Sequence, residues 1–266
     1  MDRIRNTFAR LKKDGKKAFI AYITAGDPSL RSTEKLAIEL EKSGVDIIEF
    51  GIPFSDPLAD GPTIQKASQR AIARGGNLRS ILKLVCSVRK KVSIPIIFMT
   101  YYNIVANYGA RNFVIDSKKA GADGVIVPDL PPEEASELIR FSEENRFALI
   151  FLAAPTSTDS RLKMIAKRSK GFIYYVSLTG VTGARRKLPK DLIRHVKKLK
   201  RYTDKPVCVG FGISSTVQAA QIAKVADGVI VGSAIIKIIE SNLKSGHLYK
   251  RVSRFVKGLA RAVHGK

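Results

Sequence analysis

Ala120-Gly121-Ala122-Asp123-Gly124-Val125-Ile126-Val127 reads as the end of a helix, a tight turn and an apolar strand. Near-copies stand at Ser43-Gly44-Val45-Asp46-Ile47-Ile48 and at Val225-Ala226-Asp227-Gly228-Val229-Ile230-Val231. A unit that recurs in this way fits stacked strand-and-helix repeats in one body better than separate domains. Its apolar half is a nearly continuous run, as expected of a parallel strand buried on both faces.

Working outward, strands are expected at 18–24, 46–51, 94–99, 124–127, 148–152, 172–177, 206–210 and 228–232. Helices are expected between them at 30–43, 63–74, 78–92, 110–119, 133–144, 160–168, 189–201 and 216–224. An amphipathic helix at 3–14 precedes the first strand, and further helices fill the C-terminal part. Eight strand-then-helix units in 266 residues predict an α/β fold, a single (β/α)8 TIM barrel over 1–266 with an extra N-terminal helix and additional helices. An open, doubly wound sheet is the alternative, and the count of eight favours closure.

Hydrophobic residues make up 45% of the chain, enough for a full core. No segment has the unbroken apolar span of a membrane helix, and the N-terminus lacks the apolar stretch of a secretory signal. Cys86 and Cys208 have no ligand or redox spacing and read as small core residues of a reducing cytoplasm. The net charge of +24 raises nucleic acid as a partner. The bases are spread over many helix surfaces, however, without the aromatic residues of a stacking platform. A solvated basic surface that attracts anionic substrates is the better reading, with neither nucleic acid nor membrane as partner.

Barrel chemistry sits at the C-terminal ends of the strands. The second strand runs into Glu49-Phe50-Gly51-Ile52-Pro53-Phe54-Ser55-Asp56-Pro57-Leu58-Ala59-Asp60-Gly61-Pro62. A carboxylate inside an apolar strand costs free energy unless something answers it. Asp60 follows on a loop that Pro53, Pro57 and Pro62 stiffen. Two such acids suit proton transfer; the alternative is a glutamate held by a structural lysine and aspartates that cap turns. After the seventh strand comes Gly210-Phe211-Gly212-Ile213, and after the eighth Gly232-Ser233-Ala234 opens a helix. Glycines at these two places make the usual barrel phosphate site, with ordinary tight turns as the alternative.

The loop Leu178-Thr179-Gly180-Val181-Thr182-Gly183-Ala184-Arg185-Arg186 has the small residues of a lid, or is a plain connector. Tyr22, Thr24, Met99, Tyr101, Asp129, Leu152, Tyr175 and Ser177 also fall at strand ends, and suggest a ligand with a flat apolar part beside its phosphate. His195, His247 and His264 fall away from the mouth. No cluster has metal spacing, no Ser–His pair is available, and lysines are too scarce at strand ends for a Schiff base. Acid–base work by carboxylates remains.

These residues resemble the α subunit family of tryptophan synthase over almost the whole chain. The signature-like piece is the stretch from Glu49 through Asp60 to Pro62. Thr24-Ala25-Gly26-Asp27-Pro28, Val127-Pro128-Asp129-Leu130-Pro131, Gly180-Val181-Thr182-Gly183, Gly210-Phe211-Gly212-Ile213 and Val231-Gly232-Ser233-Ala234 support it. The resemblance implies retro-aldol cleavage of indole-3-glycerol phosphate to indole and glyceraldehyde 3-phosphate. Glu49 would be the general acid–base and Asp60 would stabilise charge at the indole N–H. Tyr175 would orient Glu49, Thr182 would close the lid against Asp60, and Gly183, Gly212, Gly232 and Ser233 would hold phosphate. Phe211, Met99, Leu152 and Tyr22 would wall the indole pocket. The chain itself would carry no cofactor and no metal. A pyridoxal-phosphate β subunit would receive indole in an α2β2 complex, through loops that include Pro53, Asp56 and Pro57. Stand-alone indole release and a catalytically silent activating subunit are the alternatives.

Overall fold

The computed structural model describes residues 2–176, 190–210 and 212–265. The first half runs α1 (Arg3–Lys13), β1 (Ala18–Thr24), α2 (Leu30–Lys42), β2 (Ile47–Gly51), α3 (Pro62–Ile72), α4 (Leu78–Arg89), β3 (Ile96–Met99), α5 (Tyr102–Tyr108), α6 (Ala110–Ala120) and β4 (Gly124–Ile126). The second half runs α7 (Ser136–Glu144), β5 (Ala148–Ile150), β6 (Leu152–Ala153), α8 (Asp159–Arg168), β7 (Ile173–Val176), α9 (Lys190–Lys200), β8 (Val207–Gly210), α10 (Thr216–Ala223), β9 (Gly228–Val231), α11 (Ser233–Glu240) and α12 (Leu248–His264). All strand pairs are parallel, in the order β5-β4-β3-β2-β1-β9-β8-β7-β6. The two end members follow one another in the chain, so the sheet is a nearly closed barrel ringed by helices, as the eight expected units require.

Two expectations change. The fifth strand, expected unbroken over 148–152, is interrupted at Phe151. The Phe151 N–H donates to the Ser169 hydroxyl at 3.1 Å instead of to a ladder carbonyl. Its first part therefore pairs with β4 and its second with β7. Cys86, expected in the core, is exposed, because α4 turns Leu78, Ile81, Leu84, Val85 and Val88 inward and Cys86 lies off that face. Cys208 is buried as expected.

The helix α5 has no counterpart in the sequence reading. Its N-terminal residue has no cap of its own, and the Tyr102 N–H instead donates to the Asp129 carboxylate, at 2.9 and 3.1 Å to the two oxygens. That carboxylate comes from the loop after β4. A cap supplied from another element leaves no local signature.

The recurring turn is explained by its aspartates. Asp46 donates its N–H to the Phe19 carbonyl, and its carboxylate accepts the Phe19 N–H at 3.0 Å. Asp123 does the same with Ile96, and Asp227 with Val207, at 3.0 Å in both cases. Each aspartate thus clips the base of the preceding strand. Cations complete each clip: Arg3 and Arg89 for Asp123, Lys17 and Lys200 for Asp227. Asp46 is held by Arg10 of α1 at 3.1 Å, and His264 of α12 lies 2.8 Å away.

Candidate active site

Strand register decides which side chains enter the barrel, since residues paired across parallel strands share a face. Tyr22 pairs with Glu49, Glu49 with Ile97, and Gly51 with Met99. Leu152 pairs with Tyr174, which pairs with Cys208. One inward face therefore carries Tyr22, Glu49, Met99, Leu152 and Tyr174. Two glycines make room for the tyrosines. A Cβ on Gly51 would strike the Tyr22 hydroxyl, and one on Gly210 the Tyr174 hydroxyl. Burial pushes both phenols well up, so they remain neutral.

Glu49 is 1% exposed. Neither of its carboxylate oxygens has a hydrogen-bond partner among the described residues, and no described lysine pairs with it. Burial first, and the charge of Asp60 second, push its carboxyl up to about 8. Such a group is mostly protonated at neutral pH.

Asp60 sits on the loop between β2 and α3. Its Oδ2 accepts the Tyr101 hydroxyl at 3.0 Å, and its carbonyl accepts Gln65 Nε2 at 2.9 Å. Burial raises it to about 6 while the Tyr101 bond pulls it down, so it is mostly ionised at neutral pH. The Tyr101 hydroxyl also accepts the Ala59 N–H at 3.1 Å. Its ring stacks on Phe54 of the same loop, with centroids 5.2 Å apart. Tyr101 is thus at the mouth, as its place at a strand end implies, and in addition bonded to Asp60.

Tyr175, expected to orient Glu49, faces the other way. Alternation sends it outward, where its ring lies 6.4 Å from that of His195 on α9 and its buried hydroxyl has no hydrogen-bond partner among the described residues. Tyr174, like Tyr22, has a phenol that feels the charge of Glu49, and it is Tyr174, not Tyr175, that β7 turns to the inward face. Asp129, another mouth candidate, is occupied in capping α5.

Gly212, with a φ of +76°, follows β8, and Gly232 caps α11 without any side-chain hydrogen bond. Ser233, exposed, opens that helix, whose first N–H groups have no acceptor within the helix. The strands before these turns are neighbours, so an anion cradle at adjacent strand ends is available. A Cβ on Gly232 would come within 3.1 Å of the Tyr22 ring, which brings the cradle beside the inward face. Leu152 also lines a cavity of about 210 Å³ with Val127, Pro128 and Asp129. Thr182, Gly183 and Phe211 lie outside the described residues, as does the rest of the expected lid. Of the loop expected to face a partner, Pro53 and Pro57 are buried and Asp56 is exposed. Leu58, which the sequence reading did not single out, is 94% exposed. Among the described residues no three His, Cys, Asp or Glu side chains gather as a metal site would need.

Comparison with known proteins agrees with this geometry. A family model described as tryptophan synthase alpha chain matches residues 8–264. The tryptophan synthase alpha chain of Geotalea uraniireducens is 51% identical over 263 residues, covering 99% of this chain and 98% of its own length. The crystal structure of tryptophan synthase subunit alpha from Legionella pneumophila superposes with a TM-score of 0.92 at 38% identity, covering 99% of this chain and 98% of that one. A Mycobacterium tuberculosis tryptophan synthase structure gives 0.91 at 38% identity with the same coverage.

Proposed function

Because the chain belongs to the tryptophan synthase alpha chain family, and so is a lyase of tryptophan biosynthesis that cleaves indole-3-glycerol phosphate, we propose that Glu49 and Asp60 carry out that cleavage. The supporting observation is a buried carboxyl and a partly buried one held at different proton affinities, about 8 for Glu49 and about 6 for Asp60. Environments that push two titratable groups apart assign an acid and an anion. Glu49, protonated, gives its proton to the ring carbon that bears the glycerol phosphate chain. The ring nitrogen becomes positively charged, and the ionised Asp60 stabilises its N–H. The bond to the side chain then breaks, its electron pair returning to the ring. The adjacent hydroxyl loses its proton to the Glu49 carboxylate and becomes the aldehyde of glyceraldehyde 3-phosphate. Glu49 ends protonated, as it began.

Tyr174 takes the orienting position beside Glu49 that the sequence reading gave to Tyr175. Tyr22, Met99, Leu152 and Phe211 wall the indole, while Gly183, Gly212, Gly232 and Ser233 hold the phosphate and Thr182 closes the lid on Asp60. As an alpha chain it carries no cofactor of its own and works with a β subunit. The finer assignment is an α2β2 complex in which the β subunit holds pyridoxal phosphate and takes the indole. Asp56 and Leu58 are among the exposed side chains of the loop that would face the partner. No described helix is long and apolar enough to cross a membrane, and two cysteines without a mutual bond support a cytoplasmic setting.

The test is indole release from indole-3-glycerol phosphate, with and without β subunit. Glu49→Gln should lose ~10²-fold or more of turnover while still binding substrate. Normal turnover in that variant would remove Glu49 from the mechanism.

A further inference from the structure

Asp60 is the member of the pair that has to stay anionic, yet its surroundings work against it. It is largely buried, and the groups facing it from the barrel are Glu49 on β2, Tyr22 on β1 and Tyr174 on β7. None of these is a cation, and among the described residues no lysine, arginine or histidine pairs with it. One described side chain donates to its carboxylate, the Tyr101 hydroxyl at 3.0 Å. Tyr101 itself has Asp129 as a second acidic neighbour.

Tyr101 holds more than the carboxylate. Its oxygen accepts the Ala59 N–H at 3.1 Å, and its ring stacks on Phe54. Three contacts therefore run from the end of β3 to one short loop, at its entry, at the residue before the acid and at the acid. The rest of the loop adds no hold on the carboxylate: Ser55, Asp56, Leu58 and Ala59 are exposed, and Gln65 of α3 bonds only the Asp60 main-chain carbonyl.

We propose that Tyr101 is a positioning residue for the lyase reaction: its hydroxyl fixes the Asp60 carboxylate in the orientation and anionic form that the indole N–H meets. The inference rests on the role given to Asp60 above. A donor to the charged form of an acid favours ionisation. Removing it moves the acid to a higher pH range, and activity that needs the anion is then lost earlier on acidification.

Tyr101→Phe isolates the hydroxyl, because the ring and its stacking on Phe54 remain. The measurement is kcat/KM for indole-3-glycerol phosphate from pH 5 to 9, beside wild type and Asp60→Asn. The acidic limb should move up by about one pH unit in Tyr101→Phe, with kcat/KM reduced about 5-fold at pH 6 and about 10-fold at pH 5 and the thermal midpoint retained. The substrate's own phosphate titrates near the same range, but it is common to both enzymes and cancels in the comparison. Asp60→Asn should be severely impaired throughout. If Asp60→Asn is impaired but the limb of Tyr101→Phe stays in place, the role given to Tyr101 is wrong while that of Asp60 survives. If Asp60→Asn works normally, the reading of Asp60 fails first and takes this inference with it.

Discussion

Glu49 carries a cost that its position makes measurable. Its carboxyl goes from an ordinary value of 4.5 to about 8 on folding, by burial first and by Asp60 second. The folded chain therefore holds a proton that the unfolded chain has released between those two values, so stability falls as pH rises through that window. Below pH 4 both states are protonated and the penalty vanishes; above pH 8 it is fully present. Glu49→Gln should unfold at higher urea than wild type at pH 9, by on the order of 3–5 kcal/mol, and match it near pH 4. An equal midpoint at both pH values would show that Glu49 ionises freely. At this scale the two acids were legible, since a glutamate inside an apolar run and an aspartate on a proline-stiffened loop stand out. The choice between Tyr174 and Tyr175 was not. Ile173-Tyr174-Tyr175-Val176 is covered on both faces, so its pattern gives no phase, and a one-residue slip exchanges the faces. The bond from Tyr101 to Asp60 spans 41 positions of the chain and leaves no local trace.

The aspartate clips belong to the scale of elements. Asp123 is the most enclosed of the doubly paired ones, with a side chain 3% exposed between Arg3 and Arg89. Removing it leaves two cations and the Ile96 N–H unanswered. Asp123→Ala should lower stability by ~3–5 kcal/mol, read by urea unfolding, with kcat kept because the clips lie at the opposite end of the strands from the chemistry. Asp227, 30% exposed, should cost less when replaced in the same way. Equal losses would mean that burial is not what makes these carboxylates matter. The sequence showed the repeat and predicted the strands it feeds, but an aspartate at a turn has many uses. That it clips the neighbouring strand becomes visible only once the strands are adjacent. The same limit hid α5, capped by Asp129, and the break at Phe151, made by Ser169.

For the whole molecule, the count of strand-and-helix units favoured closure over an open, doubly wound sheet, because eight repeated units under helices are what a (β/α)8 ring is built from. Which loop residues would face a partner was less legible, since prolines stiffen a loop whether they point in or out. Pro53 and Pro57 turn inward, while Leu58 projects almost wholly into solvent. A leucine left there by a chain with ample core suggests a contact made outside the chain. Leu58→Asp should weaken association with the β subunit about 10-fold or more and reduce its stimulation of indole release, without lowering stability. Unchanged association would move the contact elsewhere. Asp46 has one last consequence. Arg10 near the start of the fold and His264 near its finish meet on this single carboxylate, so the path of the backbone returns to its origin. A short linker could join those extremities into a circle, and the numbering would then depend only on where the circle is opened.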